Sequence, residues 1–237
     1  MKKIALIFAG GYGKRMGREI PKQFLEVGGR EIIIWTIKNF EDSEDIDEIY
    51  IACVEEWISH LKEVVEKENI KKIVKIVPGG ETGQLSIFNG LKAAYENNKD
   101  KKDVIVLIHD GVRPFIDNDL IRRNIECVIE NGCAISCAPA IETILLTDSD
   151  NNIKTITDRS CSKLARAPQS FFLYDIYNLH LKALSENKTN FIDNCTMMNY
   201  YNKKLYAVET SNDNIKITTS NDYYIAKCIF EKEENND

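Results

Sequence analysis

Histidine is scarce in this chain, and cysteine never pairs up. The three histidines, His60, His109 and His180, stand far apart, and no two of the seven cysteines share a C-x-x-C spacing. That argues against a His/Cys zinc cage. The cysteine count is odd, and Cys53 and Cys137 sit in the apolar runs "IYIACV" and "AISCAP". Free thiols buried in a reducing cytosol fit this usage better than a disulfide framework. No apolar run approaches membrane-spanning length. The opening "MKKIALIFAGG" has only the outline of a secretory leader, because its short apolar stretch runs into glycine and basic residues instead of a cleavage site. Excess positive charge is missing too: the net charge of −6 argues against nucleic acid or an anionic membrane as partner. Repeats and low-complexity linkers are absent. A cytoplasmic protein acting on small molecules is expected.

What is present reads as one α/β domain over residues 1–237. At 43% hydrophobic residues, this length supports a sizeable core. Short apolar runs predict strands at Lys3–Phe8, Glu48–Val54, Lys72–Val77, Val104–His109 and Ala134–Pro139. Helical periodicity lies between them, at Glu31–Phe40, Glu56–Glu68, Gln84–Asn97 and Asp119–Glu130. Alternation of this kind implies right-handed crossovers and a Rossmann-like, mostly parallel sheet flanked by helices. The pattern breaks near Glu142. Residues 142–166 alternate around a turn at Asp148–Asn152 and predict a β-hairpin arm leaving the sheet. Helices at Tyr174–Leu184 and Ile192–Tyr201, a strand in "KKLYAVE" and a last helix at Ser220–Phe230 complete the chain.

The stretch "FAGGYGKRMGREIPKQF", Phe8–Phe24, follows the apolar "IALI". Ligands of open α/β sheets bind at the carboxyl ends of the strands, so this loop is the first candidate site. Gly10, Gly11 and Gly13 let backbone amides approach an anion. Two common cradles fail on spacing. A dinucleotide G-x-G-x-x-G starting at Gly11 meets Met16 where its third glycine belongs, and no G-x-x-x-x-G-K-[ST] occurs. Arg15 and Lys22 instead place fixed cations beside bare amides, which suits a triphosphate and the charge that grows during phosphoryl transfer. Lys14 and Arg18 read as solvated.

"AGGYGKRMG" followed by "PKQF" resembles the signature of the sugar and polyol nucleotidyltransferases. More narrowly, it is similar to the cytidylyltransferases that act on methylerythritol 4-phosphate or ribitol 5-phosphate. Four further stretches agree in order: "PGGETGQLSIFNGL" at 78–91, "HDGVRPF" at 109–115, "APQSF" at 167–171 and "NIKITT" at 214–219. The resemblance implies CTP and a polyol phosphate as substrates, Mg²⁺ as cofactor and pyrophosphate as product. It also implies roles. The Ala9–Gly13 backbone would hold cytosine and triphosphate, with Arg15 and Lys22 on the phosphates. Gly80 and Ser86 would line the nucleotide site. Asp110, with Asp213, would hold the metal, Arg113 would support that loop, and Lys216 would reach the α-phosphate. Asp158 and Arg159 match residues of the arm that approach the partner subunit's substrate in an interlocked homodimer, and Asp193 belongs to the acceptor motif.

Duller readings stand beside these. Asp110 and Arg113 also read as a strand-end ion pair, Lys216 as a solvated strand residue, Arg159 as an exposed hairpin charge, and His109 as structural. The chain departs from the methylerythritol pattern at Gly83, where an arginine is usual, and at Ala167 and Ile192, where threonines are usual. "HDGVRPF" and "EEWISH" at 55–60 lean toward the ribitol enzymes, whose product, CDP-ribitol, feeds surface polymers such as teichoic acid. Methylerythritol 4-phosphate and isoprenoid synthesis remain the alternative, and a non-catalytic nucleotide-binding module the outside one.

Overall fold

The apolar runs become strands whose two faces are both covered. The computed structural model describes residues 1–11, 20–99 and 103–234. Six strands and six helices come first and carry the site: β1 (Lys2–Ala9), the short β2 (Glu26–Val27) and β3 (Arg30–Glu31), α1 (Ile32–Glu41), β4 (Glu48–Cys53), α2 (Ile58–Lys67), β5 (Ile73–Pro78), α3 (Gly83–Asn98), β6 (Val104–Asp110) and α4 (Asn118–Asn131), followed by α5 (Leu173–Ser185) and α6 (Asn194–Tyr200) further along the chain. The remaining elements are β7 (Cys133–Pro139), the hairpin strands β8 (Leu145–Thr147) and β9 (Ile153–Ile156), β10 (Lys163–Phe172), β11 (Ala207–Glu209) and α7 (Ser220–Glu234).

Seven strands form the main sheet in the order β11-β7-β10-β6-β1-β4-β5. Neighbouring pairs are parallel except around β10, which runs antiparallel to both β6 and β7. Alternate residues of β1 feed opposite cores. Ala5 and Ile7 pack with α1, α2 and α4, while Ile4 and Leu6 pack with α3 and α5. β6 is buried along its whole length, as a central parallel strand should be. Among the described residues, no helix is long and apolar enough to cross a membrane.

The arm was expected to run to residue 166, but Lys163, Leu164 and Ala165 already pair with Pro139, Ala138 and Cys137 of β7. "SKLARAPQSF" therefore enters the sheet as β10 instead of ending a hairpin. Polar, alternating residues disguise it, because its first half is exposed and only Ala167 to Phe171 are buried. "KKLYAVE" also shrinks to three paired residues, and "NIKITT" forms no strand but a loop.

Candidate active site

The chain runs from β1 outward through β4 to β5, then crosses back to β6 on the other side of β1. This reversal opens a crevice at the carboxyl ends of β1 and β6, where Phe8 is in register with Asp110. Two adjoining cavities lie there, of about 180 Å³ and about 290 Å³. Phe8, Gly83, Asp110 and Lys216 line both. Roomier hollows of about 480 Å³ and about 540 Å³ open at the opposite end of the strands, beside Cys133 and Asp103. The first carries Lys182, Lys203 and Lys204, but among the described residues neither hollow has the cluster of glycines or the side-chain-capped helix N-terminus that faces the crevice, so size alone misleads here.

The first cavity gathers Ala9, Gly10, Gly11, Lys22, Gly80 and Ser86, all singled out from the sequence. Its glycines do different jobs. A Cβ on Gly10 would stand 2.4 Å from Ser86 Oγ, and one on Gly80 would stand 2.4 Å from Leu85 Cβ, so both are there for backbone packing. Among the described residues, a Cβ on Gly11 or Gly83 would meet nothing within 4 Å. Ser86 Oγ accepts the Gly80 N–H at 2.9 Å and so holds the 79–80 turn against β1. Thr82 caps α3 by accepting the Leu85 N–H at 3.1 Å, which aims the positive end of a long helix at the cavity.

Gln23 was not singled out from the sequence, although it lies inside "PKQF". It is buried, and its Nε2 donates to the Ala9 carbonyl at 2.8 Å, tying the Lys22 turn to the end of β1. Gly13 and Arg15, like Lys14 and Arg18, lie outside the described residues.

Asp110 ends β6 in a web of cations. Arg113 Nε donates to its Oδ2 at 2.8 Å, and Lys216 Nζ lies 2.5 Å from its Oδ1. Burial alone would push this carboxyl up, yet the charges of Lys216 and Arg113 hold it well below the usual carboxylate range. The strand-end ion pair of the duller reading is thus real, and it also carries Lys216. Lys216 is no strand residue. Its loop is pinned by Arg113 Nη1 donating to the Asn214 carbonyl at 2.8 Å and by Ile217 N–H donating to the Val112 carbonyl at 3.0 Å. His109 is structural: fully buried, it donates from Nε2 to the Arg113 carbonyl at 3.1 Å, and burial lowers its pKa to about 4.

The donor set does not form a protein-made metal cage. Among the described residues, no three His, Cys, Asp or Glu side chains converge to hold a metal. Both Asp110 oxygens already face cations, and Asp213 is exposed, accepting from Ser211 Oγ at 3.1 Å. With Asp110 the one strand-end carboxylate at the cavity among the described residues, the site would fit a magnesium ion carried on a polyphosphate, which would supply most of its ligands.

The second cavity adds Arg113, Arg166, Gln169 and Asp193. Asp193 is a helix cap as well as a lining residue. Its Oδ1 accepts the Thr196 N–H at 2.7 Å, and its Oδ2 accepts from Gln169 Nε2 at 3.0 Å. Arg166 escaped the sequence reading because nothing there put residues 163–166 into the sheet. Asp158 and Arg159 line neither cavity. Both are exposed on the arm, where Asp158 caps a short turn by accepting from the Ser160 N–H at 2.9 Å.

Residues 3–232 match the family described as 2-C-methyl-D-erythritol 4-phosphate cytidylyltransferase (IspD). The chain belongs to that family. Its cytidylyltransferase relatives are similar over their whole lengths. A ribitol-5-phosphate cytidylyltransferase of Streptococcus agalactiae serotype V is 45% identical, covering 99% of this chain and 98% of the relative. A 2-C-methyl-D-erythritol 4-phosphate cytidylyltransferase of Clostridium botulinum (strain Langeland) is 36% identical, with 98% of each covered. Among solved structures, the 4-diphosphocytidyl-2C-methyl-D-erythritol synthase of Anaerococcus prevotii superposes with a TM-score of 0.84 at 29% identity, covering 97% of this chain and 96% of that one. This chain is therefore a nucleotidyltransferase, and the crevice between β1 and β6 is the place in this cytidylyltransferase where cations, glycines and a helix N-terminus meet.

Proposed function

We propose that this cytidylyltransferase joins CMP from CTP to D-ribitol 5-phosphate. An oxygen of the acceptor phosphate attacks the α-phosphorus, the bond to the β-phosphate oxygen breaks, and pyrophosphate leaves with the electron pair. CDP-ribitol is the product. The observation that carries the choice of acceptor is the identity of 45% to a ribitol-5-phosphate enzyme against 36% to a methylerythritol enzyme, at nearly the same coverage. The match to the methylerythritol family description supports methylerythritol 4-phosphate as the second reading.

The nucleophile is an anion at neutral pH, so no general base is needed. What is needed is in-line placement and screening of two anions. In this reading the first cavity takes the nucleotide, with Arg15 and Lys22 on its phosphates, and Lys216 reaches the α-phosphate where the two cavities join. Mg²⁺ enters on CTP, with Asp110 as its nearest carboxylate. The protein works in the cytoplasm and supplies a surface polymer such as teichoic acid. It acts as a homodimer through the arm, whose Leu145, Leu146, Ile153 and Ile156 expose 46–64% of their surface and await a cover. The arm would then bring Asp158 and Arg159 to the neighbouring subunit's acceptor.

A pyrophosphate-release assay with CTP against a panel of polyol phosphates tests the proposal. Ribitol 5-phosphate should give the highest kcat/KM. A higher value with methylerythritol 4-phosphate moves the enzyme to the second reading. Equal use of UTP would defeat the cytosine assignment.

A further inference from the structure

Among the described residues, three cationic side chains line the second cavity: Arg113, Arg166 and Lys216. Two of them are already committed. Arg113 holds Asp110 and the Asn214 carbonyl, and Lys216 holds the other oxygen of Asp110. Arg166 differs. It is half-buried, its Nε is sealed from water, and that Nε meets no hydrogen-bond partner among the described residues. The charge that acts on it most is another cation, Arg113, and burial with that repulsion pulls its pKa down. A buried N–H left without a partner is costly, and so is a guanidinium beside a like charge. An anion bound in the cavity would answer the like charge, and with a small turn of the side chain it would also reach Nε; a guanidinium fork matches the oxygens of a phosphate.

Its setting is rigid. Arg166 lies in an irregularity of β10 between Ala165 and Gln169, and the flanking backbone is fastened by Asn214 Nδ2 donating to the Ala167 carbonyl at 2.8 Å. Asn214 is the residue that Arg113 also grips, so the end of β6, the Lys216 loop and Arg166 are held as one body.

We infer that Arg166 is an acceptor-binding residue, holding the phosphate group of the polyol phosphate in the second cavity. The inference rests on the reading of that cavity as the acceptor's. The phosphate, and not the polyol hydroxyls, is the group recognised, because only the phosphate brings the charge that Arg166 lacks.

The test pairs R166A and R166K with wild-type enzyme. Kinetics use whichever polyol phosphate the wild type turns over. For R166A the KM for that acceptor should rise about tenfold to a hundredfold, the loss expected for a charge-assisted hydrogen bond, with the KM for CTP within twofold of wild type. R166K should fall between, since lysine restores the charge but not the fork. In parallel, inorganic phosphate is titrated calorimetrically into protein saturated with CTP, and its affinity should drop by a similar factor in R166A. An unchanged acceptor KM, a parallel rise in the CTP KM, or unchanged phosphate affinity would each overturn the inference. If R166A does not fold, R166K alone decides by the same readings. If wild-type enzyme turns over no polyol phosphate, the acceptor reading itself falls, while the phosphate titration still judges Arg166.

Discussion

Lys216 Nζ lies 2.5 Å from Asp110 Oδ1, on a carboxylate whose other oxygen takes Arg113 Nε at 2.8 Å. The lysine is therefore held in place before any nucleotide arrives, and its side chain is still 38% exposed. Placement before binding is what transition-state stabilisation requires. K216A should lower kcat by about a hundredfold to a thousandfold, with a smaller effect on the KM for CTP. Its urea midpoint should hardly move, because an ion pair exposed on one side contributes about 1 kcal/mol or less. D110N should behave differently. It leaves Arg113 buried without its carboxylate and should cost about 2–4 kcal/mol, somewhat under the full penalty for breaking a buried pair because Lys216 can reach water. Single-turnover kinetics and urea unfolding of the two variants separate these effects; equal destabilisation by both would contradict the argument.

Two adjacent glycines should respond in opposite ways. G10A places its Cβ 2.4 Å from Ser86 Oγ, and overpacking of this kind costs about 1–3 kcal/mol. G11A meets nothing within 4 Å among the described residues, so its thermal midpoint should stay near wild type while the KM for CTP rises. Calorimetric melting beside CTP titration checks both. Loss of stability in G11A, or none in G10A, would show that the backbone at this turn lies elsewhere.

Acid should unfold the protein by way of its buried histidines. His109 and His180 are each held neutral by burial, with pKa values lowered to about 4. In the unfolded chain they bind protons below about pH 6.5. Stability is therefore fully present above that pH and is lost as pH falls toward 4, by up to about 1.4 kcal/mol per pH unit for each histidine. Urea midpoints measured from pH 7.5 to 4.5 should decline accordingly, and H180Q should flatten the slope. A flat wild-type profile across this window would mean that neither histidine is held neutral.

The arm offers the test of assembly. I153D combined with I156D puts two charges on its apolar surface, where the two residues are 59% and 64% exposed. Sedimentation equilibrium should shift from dimer to monomer, and turnover should fall if Arg159 serves the neighbouring subunit. A double variant that remains dimeric would remove the arm from the interface.

The periodicity of the chain settled the parallel core and its helices, because strands buried on both faces must be apolar throughout and amphipathic helices must repeat near 3.6 residues. Motif order and the family resemblance were enough to bring Ala9 through Gly11, Lys22, Gly80, Ser86, Asp110 and Lys216 to the lining of one cavity, and all of these but Lys216, which lies in a loop, sit on or beside a strand end, a short turn or the start of a helix. Tertiary structure alone decided the rest. β10 is antiparallel and half-exposed, so its residues carry no continuous apolar signature, and its partners β6 and β7 lie far away along the chain. For that reason Arg166 could not be placed beside Arg113 from the sequence, nor Gln23 beneath the Ala9 carbonyl, nor Asp193 as both cap and wall. Residue types can be read one by one along a chain, but whether a charge is already paired depends on which distant segments fold against it.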